Sequence, residues 1–222
     1  MLLLATDTSG KFGSLALAQC DPDGACRVLE VVSIEGGTFS AQLIPQLAAL
    51  LARHRFDHHQ IDAFAAASGP GSFTGLRVGL AAIKAMAEVS GKPIAAVSML
   101  EAVAMMGASR GRVMAALDAG RGEIYSGEYE LSGQPRKISE RVLTPEQFLA
   151  EAKALPIVTP VKTITDLARS AGLQVEQISA PDAGDIARLG WQKLQRGDTI
   201  SPEDLDANYV RRSDAEIFAK LK

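Results

Sequence analysis

The sequence of 222 residues predicts an α/β protein made of two related lobes, the second reduced in size. Three observations lead there. Short apolar runs bounded by Gly, Pro and Asp alternate with longer stretches of helical periodicity. The order strand, strand, strand, helix, strand, helix, strand, helix is legible across the first half and restarts, less regularly, at Arg112. The opening strand of each half also ends in an aspartate followed by a glycine-bearing turn: Asp7-Thr8-Ser9-Gly10 and Asp118-Ala119-Gly120-Arg121-Gly122.

Taken in order, LLLATD, GSLALAQ and CRVLEVVSI read as three strands, and residues 40–54 as a helix with Leu43, Ile44, Leu47, Leu50 and Leu51 at helical spacing. The apolar run IDAFAAAS is a strand closed by Gly69 and Pro70. A second helix starts near Phe73 under a Ser72 cap and stops at Gly91, because Lys92-Pro93 cannot continue it. PIAAVS is a buried strand and MLEAVAMMGAS a third helix. In the second half RVMAALD, EIYSGEYE and RKISERV read as strands, and Thr144 caps a helix with Pro145 in its first turn. PIVT, TITDLARSAG, VEQISA and AGDIARLGWQKLQRG continue as strand, helix, strand and amphipathic helix. The expected lobes are residues 1–108, joined by the tail 207–222, and residues 109–206.

Composition narrows the function. The chain is 47% hydrophobic and 22% charged, ordinary for a packed domain, with a net charge of −3 and no Lys/Arg block. A protein that grips nucleic acid by itself carries a basic face, so any RNA contact is expected to depend on another subunit. No apolar run is long enough to span a bilayer, and MLLLATDTSG reads as a buried strand rather than a secretory leader, which points to the cytoplasm. Cys20 and Cys26 flank the turn DPDGA, where a hairpin brings them near each other; two reduced thiols are expected.

The stretch SGPGSFTGLRVG, residues 68–79, carries four glycines. It lacks the lysine of a phosphate-binding P-loop, since Gly75 is followed by Leu76-Arg77. Its third glycine falls one residue late for a dinucleotide fingerprint, and Ser72 lacks glycine at both positions that a nucleophile elbow requires. A helix start fits better. Gly75, Gly79, Ala82 and Met86 then share one face that begins almost without side chains. Glycine inside a helix costs about 1 kcal/mol relative to alanine, and close approach of another backbone compensates. That approach is either a contact with another subunit or packing inside the lobe itself.

LLLATDTSG, SGPGSFTGLRVGLAAIKAMA, IAAVSMLEAVA, MAALDAGRGEIYSGEY and NYVRRSDAEIF together resemble the bacterial TsaB or YeaZ type, a subunit of the complex that makes threonylcarbamoyladenosine on tRNA. The resemblance implies an actin-like, hexokinase-like ATPase fold of two ribonuclease-H-like lobes. It implies a subunit without chemistry of its own, needed for modification of adenosine 37. Its partners would be the catalytic TsaD-type paralogue and a TsaE-type ATPase, with tRNA met only within the complex; such subunits also self-associate. Docking would use the first two helices, here through Leu43, Leu47, Leu50, Gly75, Leu76, Gly79, Ala82, Ile83 and Met86. Asp7, Thr8, Ser9 and Gly10, with Asp118, Gly120 and Gly122, would be vestigial phosphate loops. In the tail, Arg211 and Arg212 would meet RNA or a third subunit, or else pair with acidic neighbours.

A bland reading stands beside the phosphate loops: each Asp caps its own turn. No Gly-Gly adenosine signature follows in the second half, so no cofactor is expected. Catalytic relatives carry two histidines one turn apart on the first long helix, and TsaB-type chains often carry His-Ser-Glu there; this chain has Phe39-Ser40-Ala41. Its histidines are His54, His58 and His59, beside Arg53 and Arg55 at a helix end, and no metal is expected. The rival function is an autonomous ATP-dependent phosphotransferase acting through Asp7 and Asp118.

Overall fold

The computed structural model describes residues 1–133 and 135–210. The chain divides into two compact units, Met1–Met99 with Pro181–Ala207, and Leu100–Ala180 with the segment that starts at Asn208.

The first unit is a five-stranded sheet in the order β3-β2-β1-β4-β5. β1 (Leu2–Asp7), β2 (Phe12–Cys20) and β3 (Cys26–Glu35) form an antiparallel meander, while β4 (Ala63–Gly69) and β5 (Ile94–Ser98) add in parallel. β1 and β4 are buried along their whole length, as strands covered on both faces must be. One face carries Leu2, Leu4, Leu15 and Leu17 against α1 (Phe39–Arg53) and α2 (Phe73–Ser90), through Leu43, Leu47, Leu50, Leu76 and Ile83. α2 starts under the Ser72 hydroxyl, which accepts from the Gly75 N–H (3.2 Å), and ends at Gly91 with φ 64°, where the left-handed region favours glycine.

The second unit repeats the order as β10-β9-β6-β7-β8. β6 (Arg112–Gly120) occupies the place of β1, flanked by β7 (Glu123–Glu130) and β8 (Arg136–Leu143) on one side. On the other side β9 (Ile157–Thr159) and β10 (Val175–Gln177) span only three residues each, so the repeat is indeed shortened. α4 (Pro145–Glu151) and α5 (Lys162–Ser170) bury Phe148, Ile164 and Ala168 on one face of this sheet.

The remaining helices do not stay with the halves that the sequence order suggests. α3 (Met99–Met106) follows β5, yet its Leu100, Val103 and Ala104 pack with Val113, Ala115, Tyr129 and Val158 of the second sheet. α6 (Ala183–Gln195) follows β10, yet it lies across the first sheet. Its Ala183 N–H donates to the Ser14 hydroxyl (2.8 Å), and Gly190 meets Ala65 and Ala95. The register explains the fit. Ala16 pairs with Ala5, Ala5 with Ala65 and Ala65 with Ala95, so one row of methyl groups crosses four strands beneath Gly190. Leu205, beyond α6, is buried in the first unit, whereas the Asn208 amide donates to Glu140 (2.6 Å) in the second. The rest of the tail, residues 211–222, lies outside the described residues.

A side chain at position 190 has no room, because its Cβ would run into that of Ala65. Gly190→Val is expected to lower stability by at least about 1–3 kcal/mol, the range for overpacking a filled core. Urea unfolding followed by far-UV circular dichroism measures it, and an unchanged midpoint contradicts the packing of α6 on this sheet.

Candidate functional site

The residues that the sequence singles out in the first half do come together. The β1–β2 turn, the start of α1 and the glycine-rich start of α2 meet at one end of the first sheet. The Ser72 N–H donates to the Ser9 carbonyl (2.6 Å). A Cβ at Gly71 would lie 2.8 Å from that of Ser9, and one at Gly79 3.2 Å from the Thr8 methyl, with the Thr8 hydroxyl closer still. At Gly75 it would overlap the Thr8 carbonyl and lie 3.1 Å from the Phe39 ring. Phe39 is buried, and Gly13 crowds its other side, where a Cβ would come within 2.7 Å of the ring. An aromatic ring thus fills a slot bounded by two glycines. Beside it opens a cavity of about 470 Å³ whose lining includes Gly10, Lys11, Ser40, Ser72, Thr74 and Val78.

This geometry corrects the expected docking residues. Leu43, Leu47, Leu50, Gly75, Leu76, Gly79 and Ile83 are buried in the core of their own unit, and Ala82 and Met86 are half-buried at its edge. The glycine face packs internally, against the β1–β2 turn, because only hydrogen at positions 75 and 79 lets α2 reach Thr8. The outward faces of α1 and α2 carry a different apolar set. Ile44 is 53% exposed, Phe73 43% and Val89 90%, with exposed Ala48, Ala81 and Ala85 between them. The Arg77 guanidinium lies 3.6 Å over the centre of the Phe73 ring. The signal was in the sequence, since Ala81, Ala85 and Val89 recur every fourth residue.

The two aspartates share one local geometry. The Asp7 carboxylate accepts from the Ser9 N–H (2.8 Å), and the Asp118 carboxylate accepts from the Gly120 N–H (2.7 Å); each caps its own turn. Their surroundings differ. Asp118 is exposed, in a turn where Gly120, Arg121 and Gly122 all adopt positive φ. Asp7 is buried, and burial raises its carboxyl pKa; hydrogen bonds from Ser9 oppose the shift, and the Asp182 carboxylate at the start of α6 adds to it.

The histidines separate. His54 Nε2 lies 2.8 Å from Glu30, whereas His58 Nδ1 lies 3.1 Å from Asp57, so the pair with helical ligand spacing does not share a partner. Among the described residues, the close cluster of metal-ligating types is Asp57, His58 and His59, all exposed on a short turn. Arg211 and Arg212 lie outside the described residues.

Residues 35–190, more than half of the chain, match the family of TsaD, described as tRNA N6-adenosine threonylcarbamoyltransferase. The chain is 29% identical to the tRNA threonylcarbamoyladenosine biosynthesis protein TsaB of Escherichia coli, covering 96% of both chains. The TsaB of Haemophilus influenzae is 26% identical, with 95% of this chain and 94% of the relative covered. The solved structure of YeaZ from Pseudomonas aeruginosa superposes with a TM-score of 0.75 at 27% identity, over 94% of this chain and 99% of that one. This chain belongs to the TsaD family, as a member of the TsaB/YeaZ type. Its two mixed sheets fit the actin-like, ribonuclease-H-like architecture that the motifs of TsaB-type chains implied. Among the described residues, no helix is long and apolar enough to cross a membrane.

Two outcomes follow from the geometry. Gly79→Leu is expected to destabilise the unit by at least about 1–3 kcal/mol, read as a lower thermal midpoint, whereas a variant as stable as wild type contradicts the internal packing of this face. Asp7 keeps its proton to a higher pH when folded, so its stabilising contribution is present below the ordinary carboxylate range and lost as pH rises through the folded pKa. The stability difference between Asp7→Asn and wild type therefore moves in favour of the variant from about pH 4 to 7. Urea midpoints across that range check it, and the opposite slope marks an ionised, stabilised carboxylate.

Proposed function

We propose that this chain serves the formation of N6-threonylcarbamoyladenosine in tRNA as a non-catalytic partner, docking on a TsaD-type paralogue through the outward faces of α1 and α2. The observation that carries this reading is the exposed apolar set on those two helices, Ile44, Ala48, Phe73, Ala81, Ala85 and Val89. Water-exposed alanine and valine repeating along a helix match the small, flat surface that a packed helix interface needs. An exposed Phe with an Arg stacked on it is the kind of anchor that dominates binding energy. Two such surfaces can also meet, which gives the chain a route to a homodimer when the paralogue is absent.

The absence of chemistry is supported by the fate of the aspartates. A carboxyl whose charge is disfavoured by burial and whose oxygen accepts from its own turn is a weak candidate for ordering a metal ion and phosphate, and Asp7 is of that kind. The net charge of −3 supports a division of labour in which tRNA is held chiefly by other subunits, a TsaE-type ATPase completing the assembly in the cytoplasm.

The test is light scattering behind size-exclusion chromatography, with the chain alone and mixed with the TsaD-type paralogue of the same organism. Wild type is expected to give a mixed complex and to restore threonylcarbamoylation of tRNA by the paralogue. Ala48→Arg with Ala85→Arg, folded by circular dichroism, is expected to lose both. A folded double variant that still binds overturns the docking face, and ATP turnover by the isolated chain that Asp7→Asn abolishes overturns the non-catalytic role.

A further inference from the structure

We propose that Cys20 and Cys26 form a reversible dithiol–disulfide site, in which the Cys26 sulfur is oxidised first and Cys20 resolves it. The two residues face each other directly across the β2–β3 hairpin. One rung further out, the Asp21 N–H donates to the Ala25 carbonyl (2.8 Å), which makes 20/26 the neighbouring rung without hydrogen bonds. Such rungs hold their Cα atoms about 4.5 Å apart, inside the span a disulfide bridges, about 4.4–6.8 Å. The sulfurs are 2.8 Å apart, with the Cys20 S–H donating to Cys26. Closing the bond therefore asks for little backbone movement.

The two thiols are unequal. Cys20 is fully buried, while Cys26 is partly exposed on the side where α6 passes, its sulfur 3.9 Å from the Ala187 carbonyl. The hydrogen bond from Cys20 favours the Cys26 thiolate, and the Arg188 guanidinium acts in the same direction. Cys20 is pushed the other way by that same bond and by burial. A partly exposed sulfur biased toward thiolate, with a shielded thiol in contact, is the arrangement of an oxidisable cysteine and its resolving partner.

With hydrogen peroxide as oxidant the steps balance. The Cys26 thiolate attacks one peroxide oxygen, the O–O bond breaks, and the released hydroxide takes up a proton as water, leaving Cys26 as a sulfenic acid. Cys20 then attacks the Cys26 sulfur. The S–S bond forms, the S–O bond breaks, and the leaving hydroxide departs as water with the Cys20 proton. Two thiols are oxidised by two electrons, one peroxide is reduced to two waters, and a dithiol reductant reverses the change. The bond would fix the turn end of the hairpin beside α6, whose Gln195 amide donates to the Pro22 carbonyl (3.5 Å).

The experiment treats the full chain with hydrogen peroxide and reads intact mass, titratable thiols and a peptide map. Wild type is expected to lose about 2 Da and both titratable thiols while staying monomeric in mass, to yield a linked Cys20–Cys26 peptide, and to recover in dithiothreitol. Cys20→Ser is expected to accumulate a sulfenic acid that dimedone labels at Cys26, and Cys26→Ser to keep its thiol under the same dose. Persistence of both thiols in wild type, gain of oxygen without the linked peptide, or a bond between two chains overturns the site. Dimedone labelling at Cys20 in Cys26→Ser overturns the order of attack. If a serine variant misfolds, the wild-type mass and peptide map decide the site alone.

Discussion

Two helices reach the first sheet only because side chains are missing where they touch it. On one face Gly75 and Gly79 let α2 close onto the β1–β2 turn; on the other, Gly190 lets α6 settle on a row of alanines. Dispersion and burial both reward such contact, and both fall away steeply with a gap of even an ångström. Glycine in a helix interior is unfavourable by itself. Each of these three is offset by the close packing it permits. The burial of Phe39 and the position of Thr8 and Ser9 all rest on this close approach.

The same approach separates the inner and outer faces of α1 and α2. With the leucines and glycines occupied inside, the apolar residues left exposed on these helices are the alanine, valine and isoleucine stripe outside. A helix that is apolar on both sides can do two jobs: one face folds the unit, and in the role proposed above the other serves association. Phe39 belongs to the inner job. Its ring lies between Gly13 and Gly75, and the position serves packing.

The internal repeat explains why two aspartates in matching turns have different environments. Both sheets have the same strand order, and both opening strands end in an aspartate that accepts an N–H two residues on. Burial disfavours the charge of Asp7, and Asp182 at the start of α6 adds to the effect. Asp118 sits in an exposed turn. Local sequence repeats the turn, and the difference in burial decides the electrostatics.

Much was legible from the sequence alone. Periodicity, the Ser72 and Thr144 caps and the stop at Gly91 placed α1, α2 and the start of α4 within a residue or two, because those signals are local hydrogen bonds and steric limits. The TsaB-type motifs were equally plain. What periodicity cannot carry is the identity of the surface that an apolar face meets. The row Ala16, Ala5, Ala65 and Ala95 exists only after four strands have paired, so nothing local assigns Gly190 to it. For the same reason α3 and α6 were read with the halves they follow in the chain, whereas each packs on the other sheet. The sequence by itself determined which segments are helices and strands and which family they make. Tertiary structure decided which face of each helix is inside, because burial is a property of what comes from far along the chain.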